Sequence, residues 1–212
     1  GRGIKNSQVY KKVMPDYLMT FGRGWNEYIH NNVPTIELGY TKNIGINHIK
    51  EEKIPERITF ISHSVFFSRM CQFIEELLVI KNDLKREFYL RPHPSDFVNG
   101  KIKEYKEFCR KHDIQIDFER DLYKSLKKSK VVIGYESTVL YESTAMNIPT
   151  FLPKLFLQGH LNDNLFKIIK SPKEMADILD SPIEMKPQRQ ESFFDKNWRE
   201  NYIFFMENIV NK

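Results

Sequence analysis

Between Ile58 and Leu152 the chain repeats one pattern: a short apolar run, a turn, then a longer amphipathic stretch. Ile58–Ile61, Phe88–Leu90, Ile114–Phe118, Val131–Gly134 and Pro149–Leu152 read as strands. Ser68–Asn82, Lys101–His112, Leu122–Ser129 and Thr138–Met146 read as the helices between them. Apolar runs without polar alternation suit strands covered on both faces, and parallel strands need helical crossovers to join them. Such crossovers are right-handed, and they place helices on either side of the sheet. The expected fold class is therefore α/β, a Rossmann-like parallel sheet with helices on both faces. Within Ser68–Asn82, the residues Met70, Phe73, Ile74, Leu77 and Leu78 recur at helical spacing and form the expected buried side.

The flanks differ. From Tyr10 to about His48 the chain reads as a strand at Tyr17–Phe21, a glycine turn Gly22-Arg23-Gly24, a short helix Trp25–His30 and a strand Thr35–Leu38 ended by Gly39. A β-turn-α-β unit of that size is too small to cover both its faces, so it is expected to be the remnant of a second α/β domain. Lys42–Arg57, polar and holding Gly45 and Pro55, reads as a connection. Beyond Pro153 regularity returns at Lys173–Leu179, Pro182–Ser192 reads as loop, and Trp198–Val210 reads as a final helix. Tyr202, Phe204, Phe205 and Ile209 are its expected buried residues. The expected divisions are residues 1–50, the end of an N-terminal domain and linker; 51–197, the ligand-binding Rossmann-like domain; and 198–212, a crossing helix. The opening Gly1-Arg2-Gly3-Ile4 lacks an initiator methionine, and a fragment of a longer enzyme is expected.

Charge narrows the partners. The net charge of +5 favours anions, from nucleotide phosphates to an acidic membrane surface. The lysines are dispersed along the chain rather than gathered into a stripe, so no nucleic-acid partner is expected. Cys71 and Cys109 lie in amphipathic stretches without metal or redox spacing, and buried thiols in a reducing, cytoplasmic compartment are expected. No apolar run approaches the ~18 residues that span a bilayer. Attachment to the inner face of the cell membrane is expected to be peripheral at most. The six histidines form no helical metal pair, so no metal is expected. Neither GxGxxG nor GxxxxGK[ST] occurs, which excludes ordinary dinucleotide binders and P-loop enzymes, and no cofactor is expected.

In an open parallel sheet ligands bind at the C-terminal ends of the strands. Three strand ends carry chemistry there. Arg91-Pro92-His93-Pro94 is stiffened by its prolines, which fix their own φ and bias their predecessors away from the helical region. A histidine held in that way suits hydrogen bonding to a phosphate, and Arg91 could grip an anion or pair with Glu87 or Asp96. Glu136-Ser137-Thr138 follows Gly134 and opens a helix, where hydroxyls and free N–H groups together make an anion cradle. Glu142, one turn on from Thr138, could accept from ribose hydroxyls or simply face solvent. Ser62-His63-Ser64 ends the first strand of this domain, where phosphate loops usually sit.

His93-Pro94 after one strand and Ser137-Thr138 before a later helix, with Tyr141-Glu142 following, resemble motifs of GT-B glycosyltransferases. Within that group the chain resembles the C-terminal, donor-binding half of bacterial capsule sialyltransferases, Kdo transferases and CDP-glycerol glycerophosphotransferases. Pro15-Asp16-Tyr17 with Phe21-Gly22, and Ile36-Glu37-Leu38-Gly39, are similar to the end of the N-terminal domain of those enzymes. The resemblance implies an inverting transfer from a CMP- or CDP-linked sugar donor to an oligosaccharide or lipid-linked acceptor, in assembly of a surface polysaccharide such as capsule or lipopolysaccharide. It implies His93 as the catalytic residue acting on the leaving nucleotide. Ser62, His63, Ser64, Arg91, Pro94, Glu136, Ser137, Thr138 and Glu142 become the candidate donor contacts. The general base of those families lies in the N-terminal domain, most of which has no counterpart here. Two other readings fit the same pattern: a UDP-sugar 2-epimerase, which shares the two-Rossmann architecture, and a non-catalytic basic module binding nucleic acid.

Overall fold

The computed structural model describes residues 15–28, 33–40, 56–135, 137–157, 166–183, 193–195 and 197–210. Glu136, and nearly all of the expected connection Lys42–Arg57 and loop Pro182–Ser192, lie outside them. The chain forms two compact units, residues 48–188 and residues 1–47 with 189–212.

The discontinuous unit contains two short parallel strands, β1 (Leu18–Thr20) and β2 (Thr35–Glu37), in the register Leu18↔Thr35. A 3-10 helix, Arg23–Tyr28, joins them and begins inside the expected glycine turn. Aromatic rings hold the unit together. Phe21, Tyr40 and Phe194 pack with centroids 4.8–6.4 Å apart, and the Trp25 indole N–H donates to the Phe193 carbonyl at 2.8 Å. Gly39 has φ +88, and a Cβ there would meet the Asp195 carbonyl at 2.8 Å, so glycine is required on both counts. The C-terminal helix Trp198–Phe205 departs from expectation. Phe205 is buried and Ile209 half-buried, but Tyr202 and Phe204 are exposed, Phe204 by 63%. Successive helix residues are about 100° apart, so Phe204 and Phe205 cannot share a face.

The continuous unit is a six-stranded parallel sheet. Its strands are β3 (Ile58–Ile61), β4 (Phe88–Arg91), β5 (Gln115–Ile116), β6 (Val131–Gly134), β7 (Thr150–Pro153) and β8 (Lys167–Ile169). They lie in the order β5-β4-β3-β6-β7-β8. Counted from β3, that is the 3-2-1-4-5-6 order of the doubly wound fold. The helices are α1 (Phe67–Ile80), α2 (Pro94–Val98), α3 (Ile102–His112), α4 (Leu122–Lys127), α5 (Thr138–Ala145) and α6 (Pro172–Leu179). β3, β6 and β7 are buried along their whole length, Thr59 and Thr150 included. All five residues expected on the inner side of α1 are buried. Phe60, Phe73, Phe88, Leu90 and Ile133 complete a core in which each is no more than 1% exposed. Cys109 is buried and Cys71 half-buried; both are free thiols, and burial pushes each up to about 12.

Two features of this sheet place the site. The strand order reverses between β3 and β6, which pair directly with Ile61 opposite Gly134. At such a reversal the chains leaving two neighbouring strands turn to opposite faces and open a crevice between them. Gly134 then lets α5 close on the sheet: a Cβ there would meet Leu140 Cδ2 at 2.9 Å and Ile61 Cβ at 3.0 Å. Among the described residues no helix is long and apolar enough to cross a membrane.

Candidate functional site

The proline-flanked segment after β4 is a helix cap. His93, with φ −71 and ψ 146, is the N-cap of α2, and Pro94 takes the first helical position, where its missing N–H costs nothing. The Ser95 N–H donates to His93 Nδ1 at 3.2 Å, and Ser95 Oγ lies 2.7 Å from the same nitrogen. In return the His93 N–H donates to Asp96 Oδ2 at 3.0 Å. This reciprocal arrangement is a capping box with an imidazole in place of the usual hydroxyl. A nitrogen that accepts carries no proton, so the neutral His93 ring bears its hydrogen on Nε2.

His63, at the end of β3, is tied in the same way, with the Val65 N–H donating to its Nδ1 at 3.2 Å. The two rings stand edge to face with centroids 4.8 Å apart. Two strand-end loops thus bring together two imidazoles of the same tautomer, each with Nε2–H as its remaining donor. Burial, and then the neighbouring His63, lower the His93 pKa from 6.5, with Asp96 opposing. His93 is accordingly a neutral hydrogen-bond donor at pH 7.

The third strand end adds Tyr135 and Ser137. The Tyr135 ring lies 5.6 Å from His63 and 5.3 Å from Phe66, centroid to centroid. Burial pushes its phenol up, and the adjacent Ser137 hydroxyl works against that shift. Ser137 is the N-cap of α5 with extended φ −148 and ψ 161, and its side chain makes no capping bond to the helix. Its hydroxyl is therefore not spent on the amides of the first turn. Thr138 is exposed at the helix start. Tyr135 links the histidines to α5, and only its position immediately after a buried strand could have signalled it.

Other expected contacts are engaged elsewhere. Arg91 pairs with neither Glu87 nor Asp96: its Nη1 donates to Asp117 Oδ2 at 2.9 Å and to the Glu119 carbonyl at 2.8 Å. That nitrogen is thereby committed to the fold. Ser62 is 1% exposed and bonded to the Tyr105 hydroxyl at 3.2 Å, out of a ligand's reach. Glu142 accepts from the Tyr123 hydroxyl of α4 at 3.0 Å. Ser64 is half-buried beside His63, and Pro94 is exposed on the cap of α2. Among the described residues no group of histidine, cysteine and carboxylate side chains could hold a metal ion.

Residues 4–158 match the profile of the LIC12162 family transferase. No curated protein matches the sequence. Among solved structures, a UDP-N-acetylglucosamine 2-epimerase from Listeria monocytogenes superposes with a TM-score of 0.59 at 13% identity, over 96% of this chain and 62% of that one. The Methanocaldococcus jannaschii UDP-GlcNAc 2-epimerase, in complex with UDP-GlcNAc and UDP, gives 0.57 at 12% identity, over 94% and 63%. The wall teichoic acid polymerase TagF gives 0.50 at 15% identity, over 96% and 54%. At these identities the likeness is one of fold. The chain spans between 54% and 63% of the length of these three proteins.

Proposed function

Because the chain belongs to the LIC12162 family of transferases, we propose that it is the donor-binding half of an inverting GT-B glycosyltransferase. Its donor is a sugar linked to CMP or CDP, and its product is a growing bacterial surface polysaccharide. The observation that carries this reading is the pair of imidazoles 4.8 Å apart, at the ends of neighbouring strands and beside the start of α5. A departing nucleotide gains negative charge on its phosphate as the bond to the sugar breaks. Donors aimed beforehand at that charge lower the barrier, because they need not reorganise during the reaction. Nε2–H of His93 and of His63, the Ser137 and Thr138 hydroxyls, and the first amides of α5 supply such donors. Each hydrogen bond to a charged group is worth about 1.5–3 kcal/mol. The acceptor in this reading is an oligosaccharide or a lipid-linked sugar, met at the inner face of the membrane.

Calorimetric titration with CMP, CDP and UDP tests the assignment. The cytidine nucleotides are expected to bind the wild-type chain, and His93→Ala with Ser137→Ala is expected to weaken them at least tenfold, about 1.4 kcal/mol. Unchanged affinity in the double variant removes these residues from the site. Conversion of a UDP-sugar with no acceptor present would favour an epimerase. Steeply salt-dependent binding of nucleic acid, indifferent to His93, would favour a basic binding module.

A further inference from the structure

We infer that Tyr105 and Asp96 are positioning residues, holding the His63 and His93 loops in one register so that both imidazoles address the same anion. The inference rests on the reading of this strand edge as the phosphate site. Tyr105 lies on α3 and is 0% exposed. Its hydroxyl lies 2.8 Å from Asp96 Oδ2 and 3.2 Å from Ser62 Oγ. A phenol has a single proton, and the carboxylate at the shorter distance takes it. The longer contact is then made by the Ser62 hydroxyl donating to the phenol oxygen. Burial drives the Tyr105 phenol well up, so it stays protonated and keeps this direction of donation.

The result is a directed chain from Ser62 O–H to Tyr105 O–H to Asp96 Oδ2, where the His93 backbone N–H also ends. Ser62 immediately precedes His63, and Asp96 closes the cap that fixes the His93 ring. One buried hydroxyl therefore fastens the loop after β3 to the loop after β4, beyond the last ladder bond from the Ser62 N–H to the Arg91 carbonyl at 3.0 Å. Asp96 is itself 0% exposed. The groups acting on the His93 ring are His63 and Asp96, one at either end of this connection. Loosening it separates the rings and relieves the influence of His63 on His93.

The test uses the whole 212-residue chain labelled with 15N-histidine. Long-range 1H–15N spectra read tautomer and titration for each imidazole, and calorimetry with CDP reads affinity. Tyr105→Phe is expected to fold, to move the His93 titration upward toward 6.5, and to weaken CDP about tenfold. Ser62→Ala, which breaks the other end, is expected to shift His93 in the same direction and decides the matter should Tyr105→Phe not fold. Folded variants whose two histidines keep wild-type titrations and tautomers would overturn the inference, even if their melting temperatures fall. A wild-type chain that binds no nucleotide would overturn the phosphate-site reading instead, while the spectra still decide whether the two loops are held together.

Discussion

Asp117 holds two guanidinium groups at once, Arg57 at 2.8 Å and Arg91 at 2.9 Å, with side chains 3%, 4% and 13% exposed respectively. The Ser125 hydroxyl also donates to it, while Arg57 donates to Thr59 and lies over the Tyr89 ring. Removing the carboxylate charge strands a buried arginine, which costs about 3–5 kcal/mol. Asp117→Asn is therefore expected to lower the urea midpoint sharply at pH 7. Burial alone would push the Asp117 carboxyl up, but Ser125, Arg57 and Arg91 outweigh it and hold it below 3.8. Its contribution is accordingly complete above pH 3.8 and is lost as the pH falls through the depressed value. Urea melts across that acid range should show this loss in the wild type and a flatter dependence in Asp117→Asn. This cluster also explains what the sequence hid about Arg91. Its partner lies 26 residues away, and the two meet only once β4 and β5 pair. The fixed backbone at His93 was legible because its neighbours set it locally, whereas the ion pair of Arg91 was decided by tertiary register.

Among the elements, the long ones announced themselves and the short ones did not. α1 carries its buried face at every helical turn, β6 is apolar throughout, and β3 is apolar but for Thr59. By contrast α2 has five residues between two turns, and β8 has three with Lys167 exposed, so neither offers a period to detect. A signal for α2 was nevertheless present: His93-Pro94-Ser95-Asp96 has a cap, a proline at the first position and an acid at the third. The prolines drew attention to the stiffness of the segment and away from the helix it starts. Gly134 is the element-scale residue most sensitive to change. Leu140 can swing its methyl aside from an added Cβ, but Ile61 Cβ sits next to its own strand backbone and cannot. Overpacking of this kind costs about 1–3 kcal/mol, and Gly134→Ala is expected to lower the melting temperature accordingly. Pairing it with Leu140→Ala should give less than the sum of the two losses, since they share one space.

For the molecule as a whole, the strand order decides where chemistry can happen, because a doubly wound sheet has one edge at which loops diverge. If a nucleotide binds there, adding CDP should move the amide resonances of residues 62–66, His93, Ser95, Asp96 and residues 135–140. Residues 129–131 and 148–150, at the opposite ends of β6 and β7, should stay in place. Shifts spread evenly over both edges would contradict a single phosphate site. The parallel α/β class was readable because alternation of apolar runs and amphipathic stretches leaves few other topologies. The discontinuity of the smaller unit was legible only through the resemblance, which makes the helix from Trp198 one that crosses back; no residue pattern in 189–212 names its partner near the N-terminus. That discontinuity governs biosynthesis. Phe193 and Phe194, which pack on Phe21, Trp25 and Tyr40, leave the ribosome some 150 residues after them. At about 5–20 residues per second the nascent aromatic cluster waits roughly eight to thirty seconds for its other half, while the sheet between folds ahead of it. Chaperone demand during translation should therefore concentrate on the stretch that carries Phe21, Trp25 and Tyr40.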